Sequence, residues 1–576
     1  MEKNRFGIGT VEHINKKRMI TAAVIFAVLL ILLLCRLFYI QIMCHNDLAE
    51  AAVSQYEISL EGMDTRGRIF DRNMKPITGG TYQYYYIIKN KKLTVEGENL
   101  LKELHARQLA SSDSDYRVYR TETYSEEINE KLKEGCGAYV FASTSRYSDS
   151  QPACHLVGYL NESEKRGVYG LERLYEERLK ADNRKLVIRA DAGGNILKGR
   201  GPYIRGFDNS VPEDNSLVTS LELGLQKKCE SLLEDVGSGA CIVTDSGSGQ
   251  VLAMASVPAF NPNRIPDYIS DVASEDSDCL INKSLQAAYP PGSVFKLVVA
   301  AAALENGICT PEKKYECAGE AEVEGICISC STAPEGGHGK IDMYEAMAKS
   351  CNCYFARLGK DIGTEKILEM AEKLGFGQTV LNDFPEENQG FLPDQDSTAA
   401  QDISNISIGQ GQLLATPLQI ARMTGIIANC GTEGSLSLTA DYETSSASLT
   451  VPVSQPKTEE KTDGLQHVIS PQTAETLQEL MRGVMTEGTG FHRDSTIPVW
   501  GKSGTAEAFC RGKEVKDCWF TGFCDVSTVQ TAAESAGTKR LVVTVFAEDG
   551  VSGSATALPI FREITQYMQK HTKDIM

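Results

Sequence analysis

The sequence lacks several features that define common functional classes. Basic residues are in deficit, since its 576 residues include 58 Lys and Arg against 77 Asp and Glu, a formal net charge of −19. This balance argues against nucleic acid or an anionic membrane surface as the main partner. Its 8 histidines are scattered, without an H-E-x-x-H motif or paired ligand spacing, so no metal and no other cofactor is predicted. No internal repeat is present, which excludes a solenoid.

A long run without charge does occur near the N-terminus. No charged residue lies within Met19–Cys35, and after Arg36 the chain stays nearly apolar over Leu37–Met43. This length predicts a transmembrane anchor at 19–43, with Arg36 reaching the interface. Because basic residues crowd the short tail at 1–18, we expect a single-pass protein of the cell membrane, with a cytoplasmic N-terminus and the remainder extracytoplasmic.

Two other interpretations of this run are weaker. A cleaved signal peptide would use the A-x-A pattern at Ala49–Ala51, but the run is longer than a signal core and the pattern lies well beyond it. A lipoprotein signal would need a small residue before Cys35, and Leu34 stands there. The uncleaved anchor is therefore the prediction, and hydrophobic length decides it.

Residues 44–212 are predicted to form a mixed domain. The pattern indicates a strand at Thr81–Asn90 and helices at Leu100–Leu109 and Glu126–Lys133. Two polar motifs, RGRIFDR at Arg66–Arg72 and GVYGLE at Gly167–Glu172, contain neither a nucleophile–base pair nor ligand spacing. Their predicted role is structural, with arginine–carboxylate pairs that hold irregular backbone.

The second domain is predicted at 213–576. Strands near both ends of this region and helices between them indicate an α+β or α/β domain whose sheet pairs early with late segments. A Ser-, Thr-, Glu- and Lys-rich stretch at 433–464 is predicted to be an exposed excursion. The predicted elements are strands at Ala240–Thr244, Val251–Ser256 and Leu541–Glu548, and helices at Leu221–Glu234, Met343–Leu358, Thr364–Leu374 and Pro471–Met485.

The stretch from Pro290 to Gly307 predicts a buried helix with a chemical group at its start. It is apolar on every side except at Lys296, which follows Ser293 by one helical turn, so both side chains share a face. Burial lowers the pKa of a lysine, and a neutral lysine beside a hydroxyl is a base beside a nucleophile. The alternative, a capping serine and a lysine that extends to solvent, fits most isolated S-x-x-K matches.

Two more triplets follow in order, Ser350-Cys351-Asn352 and Lys502-Ser503-Gly504. S-x-x-K, S-x-N and K-[ST]-G together resemble the signature of penicillin-recognising serine enzymes. The flanks YPPGSVFK, SCNCYFARLG, SIGQGQLLATPLQIA, GVMTEGTG, WGKSGTAE and CWFTGF resemble those of transpeptidases. RGRIFDR and GVYGLE resemble the non-catalytic domain of class B penicillin-binding proteins, so the resemblance covers nearly the whole chain except 433–464.

The resemblance implies the fold and the domains. It implies a penicillin-recognising serine transpeptidase fold with a central antiparallel sheet flanked by helices. Residues 44–212 would be a non-catalytic pedestal (dimerisation) domain and 213–576 the penicillin-binding domain. No glycosyltransferase domain precedes the catalytic one, which indicates class B rather than the bifunctional class A.

The resemblance also implies roles for the site residues. Ser293 would attack the D-Ala-D-Ala carbonyl with Lys296 as its base, and Ser350 would relay a proton to the leaving amine. Asn352 would bond the peptide amide of the substrate, and Lys502 would supply positive charge near its carboxylate. The Ser503 and Thr505 hydroxyls would bind that carboxylate. The N–H groups of Ser293 and Thr505 would form the oxyanion hole. Gly504 completes the third motif. The departures are Cys351, interpreted as a packing residue, and Ser503, where many relatives have Thr.

The implied function is a peptidoglycan D,D-transpeptidase. It would cross-link a D-Ala-D-Ala donor stem peptide to an amine acceptor through a serine acyl-enzyme, be inhibited by β-lactams and work with a membrane glycosyltransferase partner. The alternatives are a β-lactamase, a β-lactam sensor and a non-catalytic division scaffold. The pedestal argues against the first, the short cytoplasmic tail against the second, and the presence of both Ser293 and Lys296 against the third.

The 17 cysteines leave alternatives open, because they form no repeated ligand pairs and the chain is too large for a disulfide scaffold. Cys317, Cys327, Cys330 and His338 could bind zinc, form a disulfide or stay free, and no catalytic need for a metal exists. Cys510 and Cys518 flank a short polar turn, so their Cα atoms are predicted to lie within disulfide reach across a hairpin, with two ordinary buried thiols as the alternative.

Overall fold

The structure is a computed structural model that divides into two compact units. One comprises Met1–Thr65, Tyr82–Ser143 and Asp182–Asp208, and the other comprises Arg66–Thr81, Thr144–Ala181 and Asn209–Met576. The structure describes residues 9–43, 57–60, 66–79, 82–109, 115–161, 166–180, 185–189, 203–205, 215–270, 275–381, 384–394, 402–439, 467–490, 498–510, 513–527 and 538–575.

The first unit begins with the predicted anchor. An α-helix spans Gly9–Phe38, and a π-helical turn at Tyr39–Met43 extends it. Within the described residues, Arg18–Phe38 is the one segment that is long and apolar enough to cross a membrane, and none of it is buried inside the protein. An apolar helix without a protein partner fits a membrane anchor.

A sheet with two helices forms the body of the first unit. The strand order is Arg107–Leu109, Tyr116–Thr121, Tyr82–Lys89 and Tyr139–Thr144. The predicted helix at Leu100–Leu109 is wrong in its second half, because the helix Val95–Glu103 ends and His105 adopts a φ of 52° before the chain becomes a strand. The helix Glu126–Cys136 is confirmed, and a separate sheet joins Glu57–Leu60, Lys185–Arg189 and Tyr203–Arg205.

The second unit is organised around a five-stranded sheet in which every pair is antiparallel. Its order is Val251–Val257, Gly239–Asp245, Thr538–Ala547, Lys513–Ser527 and Val499–Cys510. We call the last of these the edge strand. The sheet thus pairs early with late segments, as predicted from the sequence, and the predicted fold class is confirmed.

Helices cover both faces of this sheet. On one face, Leu223–Glu234 and Leu558–Lys570 bury residues such as Leu225 and Phe561. On the other, the Lys296 helix, defined as Lys296–Glu305, is the centre of the largest apolar cluster. The remaining helices of eight or more residues described in this unit are Asn352–Ile362, Thr364–Lys373, Pro417–Ala428 and Pro471–Thr486.

The predicted helix at Met343–Leu358 is two helices in the structure. Met343–Ala348 ends just before the second motif, and Asn352–Ile362, which we call the Asn352 helix, begins within it. Ser350 lies between them with a φ of 52°, a left-handed conformation that no α-helix contains. The break removes Ser350 from a helix and leaves it at the centre of the site.

Arginine–carboxylate pairs hold the two polar motifs, as predicted. Glu172 is fully buried, and its two carboxylate oxygens accept from Arg66 Nε at 2.6 Å and Arg146 Nε at 2.7 Å. Arg66 also donates to Glu176 at 2.6 Å. Both motifs belong to the second unit, whereas the sequence-based domain boundaries assigned them to the first domain. Residues 440–464 of the predicted excursion lie outside the described residues. In the described part, 433–439, the prediction of an exposed stretch is wrong, because Leu436 and Leu438 are buried against the core.

Candidate active site

Ser293 and Lys296 occupy two successive turns at the start of the Lys296 helix. Gly292–Phe295 forms a 3₁₀ turn, in which side chains three residues apart are eclipsed, so both residues face the same side. The Ser293 side chain is half-buried, and within the described residues no hydrogen bond occupies its hydroxyl, which leaves the oxygen available to an electrophile.

Lys296 is completely buried yet has no carboxylate partner among the described residues. Its Nζ donates to the Ser350 carbonyl oxygen at 2.7 Å, to Asn352 Oδ1 at 2.7 Å and to Ser350 Oγ at 3.3 Å. The Phe355 ring centroid lies 5.6 Å from the ammonium nitrogen. Burial lowers the pKa of Lys296 to about 8, so the neutral amine is accessible near neutral pH.

The second motif bends around this lysine. Ser350 holds its left-handed φ of 52°, and strain of this kind at a non-glycine residue is concentrated at functional sites. Cys351 caps the Asn352 helix, and its sulfur accepts from the Tyr354 N–H at 3.5 Å. Asn352 Nδ2 donates to the Ser329 carbonyl at 3.0 Å, which fixes the orientation of the amide and presents its oxygen to Lys296.

Lys502, on the edge strand, reaches the same serine. Its Nζ donates to Ser350 Oγ at 3.0 Å and to the Ser503 carbonyl at 2.7 Å. The residue is fully buried, and burial lowers its pKa well below the ordinary value, with the charge on Lys296 as a further cause. The structure therefore brings the lysines of the first and third motifs to one hydroxyl of the second.

Gly292, just before the first motif, and Gly504, in the third motif, allow the edge strand to pack against the 3₁₀ turn. A Cβ on Gly504 would lie 2.9 Å from Val294 Cγ2 and 3.1 Å from the Pro291 carbonyl oxygen. Gly292 has a φ of +54°, and a Cβ there would lie 2.9 Å from the Thr505 carbonyl oxygen. Only glycine permits this approach, which places the Ser293 and Thr505 backbones side by side.

Sequence reasoning missed Thr489 as a residue of the site. Its hydroxyl lies 2.8 Å from Ser503 Oγ, so it orients one of the two hydroxyls proposed to bind the carboxylate. The Thr505 hydroxyl is oriented in turn by the Gly553 N–H at 3.1 Å. The sequence signal for Thr489 lies in the glycine-rich GVMTEGTG flank, which resembles that of transpeptidases. The resemblance did not indicate a role for the Thr489 hydroxyl.

The predicted Cys510–Cys518 contact is wrong. The two strands do form a hairpin, but Cys510 pairs with Lys513 and Cys518 pairs with Thr505. Five residues therefore separate the two cysteines along the ladder, or about 17 Å at the rise of an extended strand, far beyond disulfide reach. The residues that flank the two cysteines did not reveal this register.

A different group of cysteines lies directly behind the site. Cys351, the middle residue of the second motif, is grouped with Cys317, Cys330 and His338, and their ligand atoms all lie within 4.8 Å of one another. These four residues could hold a metal ion. Cys327, which the sequence had suggested as a ligand, is not among them.

Comparisons with known proteins agree with this geometry. The family model "Penicillin binding protein transpeptidase domain" matches residues 239–566. The peptidoglycan D,D-transpeptidase MrdA of Acinetobacter baumannii is 27% identical over 471 residues, 73% of this chain and 68% of that protein. Stage V sporulation protein D of Bacillus subtilis is 26% identical over 544 residues, 89% of this chain and 80% of that protein.

Solved structures extend the similarity over the whole chain. A structure described as "Structural coordination of polymerization and crosslinking by a peptidoglycan synthase complex" is similar with a TM-score of 0.67 and 25% identity, covering 96% of this chain and 98% of that one. The penicillin-binding protein PBP2 of Helicobacter pylori has the same fold, with a TM-score of 0.66 and 23% identity over 89% of this chain and 99% of its own.

The site combines Ser293 and Lys296 on one side of two successive turns, a second serine between two buried lysines and an edge strand packed on the 3₁₀ turn that carries Ser293, which is the arrangement of the penicillin-recognising serine enzymes. The chain belongs to the penicillin-binding protein transpeptidase family. Within that family it is a class B penicillin-binding protein, since its full-length relatives and structural neighbours are of this kind.

Proposed function

We propose that this protein cross-links peptidoglycan through an acyl-enzyme on Ser293, with the other residues of the three motifs in the roles set out below. It is a serine-type D,D-transpeptidase of cell-wall synthesis that also binds penicillin and other β-lactams covalently. The observation that carries the proposed roles is the convergence of Lys296 and Lys502 on the Ser350 hydroxyl, because Lys296 itself follows Ser293 by one helical turn.

Acylation begins with neutral Lys296 as the base. It takes the Ser293 proton as Oγ attacks the carbonyl carbon of the penultimate D-Ala, and the N–H groups of Ser293 and Thr505 receive the developing oxyanion. The lowered pKa of Lys296 supports this step, because an ammonium group cannot accept the proton. The peptide C–N bond then breaks, and a proton relayed through Ser350 leaves with the D-Ala amine.

The edge strand holds the donor peptide during this step. Lys502, Ser503 and Thr505 bind its terminal carboxylate, and Asn352 bonds the peptide amide. A carboxylate entering beside Lys502 stabilises the ammonium form of that residue, which burial disfavours in the empty site. An amine of a second stem peptide then attacks the ester, which forms the cross-link and returns the Ser293 proton.

The proposed topology places this chemistry outside the cytoplasm. The anchor at 19–43 crosses the membrane once, with 1–18 inside, a pedestal at 44–212 and the catalytic domain at 213–576. A membrane glycosyltransferase is the proposed partner, since one structural neighbour belongs to a complex that couples polymerisation with cross-linking. Another neighbour, PBP2 of Helicobacter pylori, was solved in complex with MreC.

A labelling experiment tests the assignment of Ser293. The purified protein is treated with fluorescent penicillin, digested, and the labelled peptide is identified by mass spectrometry. We expect a stable adduct on Ser293, no adduct in Ser293→Ala, and an unchanged adduct in the control Ser248→Ala, which alters an exposed turn. Persistence of the label in Ser293→Ala would refute the assignment, and rapid release of the adduct would favour a β-lactamase.

A further inference from the structure

The face of the edge strand that presents the Thr505 hydroxyl also carries a carboxylate. Side chains alternate between the two faces of a strand, so Ser503, Thr505 and Glu507, which stand two residues apart, share a face. Thr505 and Glu507 are both exposed, whereas Ala506 between them is completely buried. A negative charge therefore lies next along the strand after the two hydroxyls that are proposed to bind the donor carboxylate.

The Glu507 carboxylate has no partner in the part of the chain that the structure describes. Lys516 stands directly opposite Glu507 on the neighbouring strand and is also exposed, yet no ion pair joins the two side chains. No side-chain hydrogen bond from the described residues reaches Glu507 either. The charge is thus not used to hold the hairpin together, and it is available to a ligand on the edge strand.

A turn after the strand Thr538–Ala547 adds an exposed apolar side chain to this region. The Gly550 N–H donates to the Lys516 carbonyl at 3.0 Å, and the Gly553 N–H donates to Thr505 Oγ at 3.1 Å. The turn therefore passes from the strand position opposite the carboxylate to the hydroxyl of the third motif. Val551 lies between these two anchoring points, and 73% of it is exposed.

The proposed contacts fix the direction in which a donor peptide lies on the edge strand. Its terminal carboxylate is bound at Ser503 and Thr505, and its reacting carbonyl stands between the N–H groups of Ser293 and Thr505. An extended peptide held in this way pairs with the edge antiparallel and continues toward Glu507. At about 3.4 Å per residue, Glu507 is about 7 Å beyond Thr505, so the residue that precedes D-Ala-D-Ala is the first whose side chain can reach the carboxylate.

We propose that Glu507 selects donor peptides that carry a positively charged side chain at the residue preceding D-Ala-D-Ala. A long basic side chain places its methylene groups along Val551 and its ammonium group at the Glu507 carboxylate. A neutral side chain loses this attraction, and an acidic one is repelled, so the charge discriminates in both directions. The proposal rests on the proposed function, because the direction of the donor follows from the roles of Ser503 and Thr505.

The same subsite should distinguish β-lactams by charge, which provides a test that needs no cross-linking. The β-lactam ring takes the place of D-Ala-D-Ala, so the acyl side chain of a penicillin extends toward Glu507. Ampicillin carries an ammonium group in that side chain, and carbenicillin carries a carboxylate there. The ratio of their acylation rates therefore measures the charge preference at this end of the edge strand.

The first experiment compares this ratio in variants of the full-length protein purified in detergent. Acylation rate constants are measured by competition with fluorescent penicillin. In Glu507→Gln we expect the ampicillin-to-carbenicillin ratio to fall by about fivefold, the size of an exposed ion pair, and in Glu507→Lys to fall further. Glu514→Gln is the matched control, since it removes an exposed carboxylate that stands opposite Phe509 on the neighbouring strand. It should leave the ratio unchanged, and high salt should weaken the preference of the parent.

The second experiment uses the peptides themselves. Two stem peptides are compared as acyl donors, one with lysine before D-Ala-D-Ala and one with N-acetyl-lysine there, so that only the charge differs. The parent should use the lysine peptide with a kcat/KM about fivefold higher, and Glu507→Gln should use both peptides equally. Val551→Ser should lower kcat/KM for both peptides alike, because it removes apolar contact and no charge.

Each contrary outcome identifies the part that fails. An ampicillin-to-carbenicillin ratio that is the same in the parent and in Glu507→Gln overturns the subsite. If the stem peptides react but the parent uses both equally, the preference for a basic donor is overturned while the proposed function stands. If the penicillin ratio changes as expected and no stem peptide acylates the protein, the proposed function fails while Glu507 still discriminates ligands by charge.

Discussion

Lys296 and Lys502 make an instructive pair, because they approach one hydroxyl from two different elements. Both are fully buried, and neither pairs with a carboxylate in the part of the chain that the structure describes. Lys296 extends from a helix and is held by a side-chain amide as well as a carbonyl, whereas Lys502 extends from a strand and is held by its neighbour's carbonyl. Their surroundings therefore differ more than their burial does.

The different surroundings of Lys296 and Lys502 fit different roles for the two lysines in the proposed reaction. The pKa of Lys296 falls to about 8, which suits a group that must lose and regain a proton. Burial, and after it the charge on Lys296, lowers the pKa of Lys502 well below its ordinary value, so an incoming anion would favour its ammonium form. When both lysines donate to Ser350 Oγ, the serine proton is free to point outward, as a relay to the leaving amine needs.

The largest effect is expected at Lys296, where a substitution can distinguish a proton-accepting base from a fixed positive charge. Lys296→Arg keeps a cation, but a guanidinium group does not deprotonate in proteins. We expect the acylation rate with fluorescent penicillin to fall by about 10³-fold or more, with the thermal melting curve as the control for folding. If the variant acylates at close to the parent rate, Lys296 acts only as a charge, and Ser350 or a bound water must be the base.

A smaller loss is expected at Lys502. Lys502→Met keeps the apolar stem and removes the cation that receives the substrate carboxylate. Since a hydrogen bond to a charged group contributes about 1.5–3 kcal/mol, acylation by a D-Ala-D-Ala stem peptide should fall by about 10²-fold. A loss of acylation rate as large as that of Lys296→Arg would contradict the different roles proposed for the two lysines.

The pH profile of acylation should report the coupling between the lysines. Because neutral Lys296 is the active form, the rate should rise by about tenfold per pH unit below the pKa of about 8 and level off above it. In Lys502→Met the midpoint should stay in place, since burial disfavours the ammonium form of Lys502 in the empty site and a neutral Lys502 exerts no charge on Lys296. A midpoint that moves to higher pH would show that Lys502 already carries a proton in the empty site.

The smallest effect concerns the serine between them. Ser350→Ala and Ser350→Gly both delete the shared hydroxyl, but only alanine retains the strain of a φ of 52°. The glycine variant should be more stable by about 1 kcal/mol, measured by chemical denaturation, while both lose the relay equally. Equal stability of the two variants would show that the left-handed conformation is not maintained in solution.

The sequence predicted which residue types would gather at the site better than it predicted their scaffold. The structure brings Lys296 and Lys502 to Ser350, whereas the roles predicted for these residues and for Ser293 stay predictions. The break at Ser350 was missed because the predicted helix Met343–Leu358 ran across Ser350–Cys353, a run of weak helix formers, and tertiary contacts hold the left-handed φ.

The cysteines illustrate the same limit on a larger scale. Cys351 looked like a packing residue because its partners, Cys317, Cys330 and His338, lie on other elements at no regular spacing. The register that separates Cys510 from Cys518 is a pairing between two strands, which composition did not specify. Sequence patterns report which residue types are present, whereas three-dimensional pairings depend on contacts between distant segments.

The hydrogen bond that Gly79 N–H donates to the Arg146 carbonyl, at 2.9 Å, has a consequence for how the chain could have been assembled. The polypeptide leaves the catalytic unit just after Gly79 and re-enters it just before Arg146, so both ends of the intervening segment are held together. Because these two ends already meet within the catalytic unit, a change in the length of the intervening segment need not reroute the chain on either side of it.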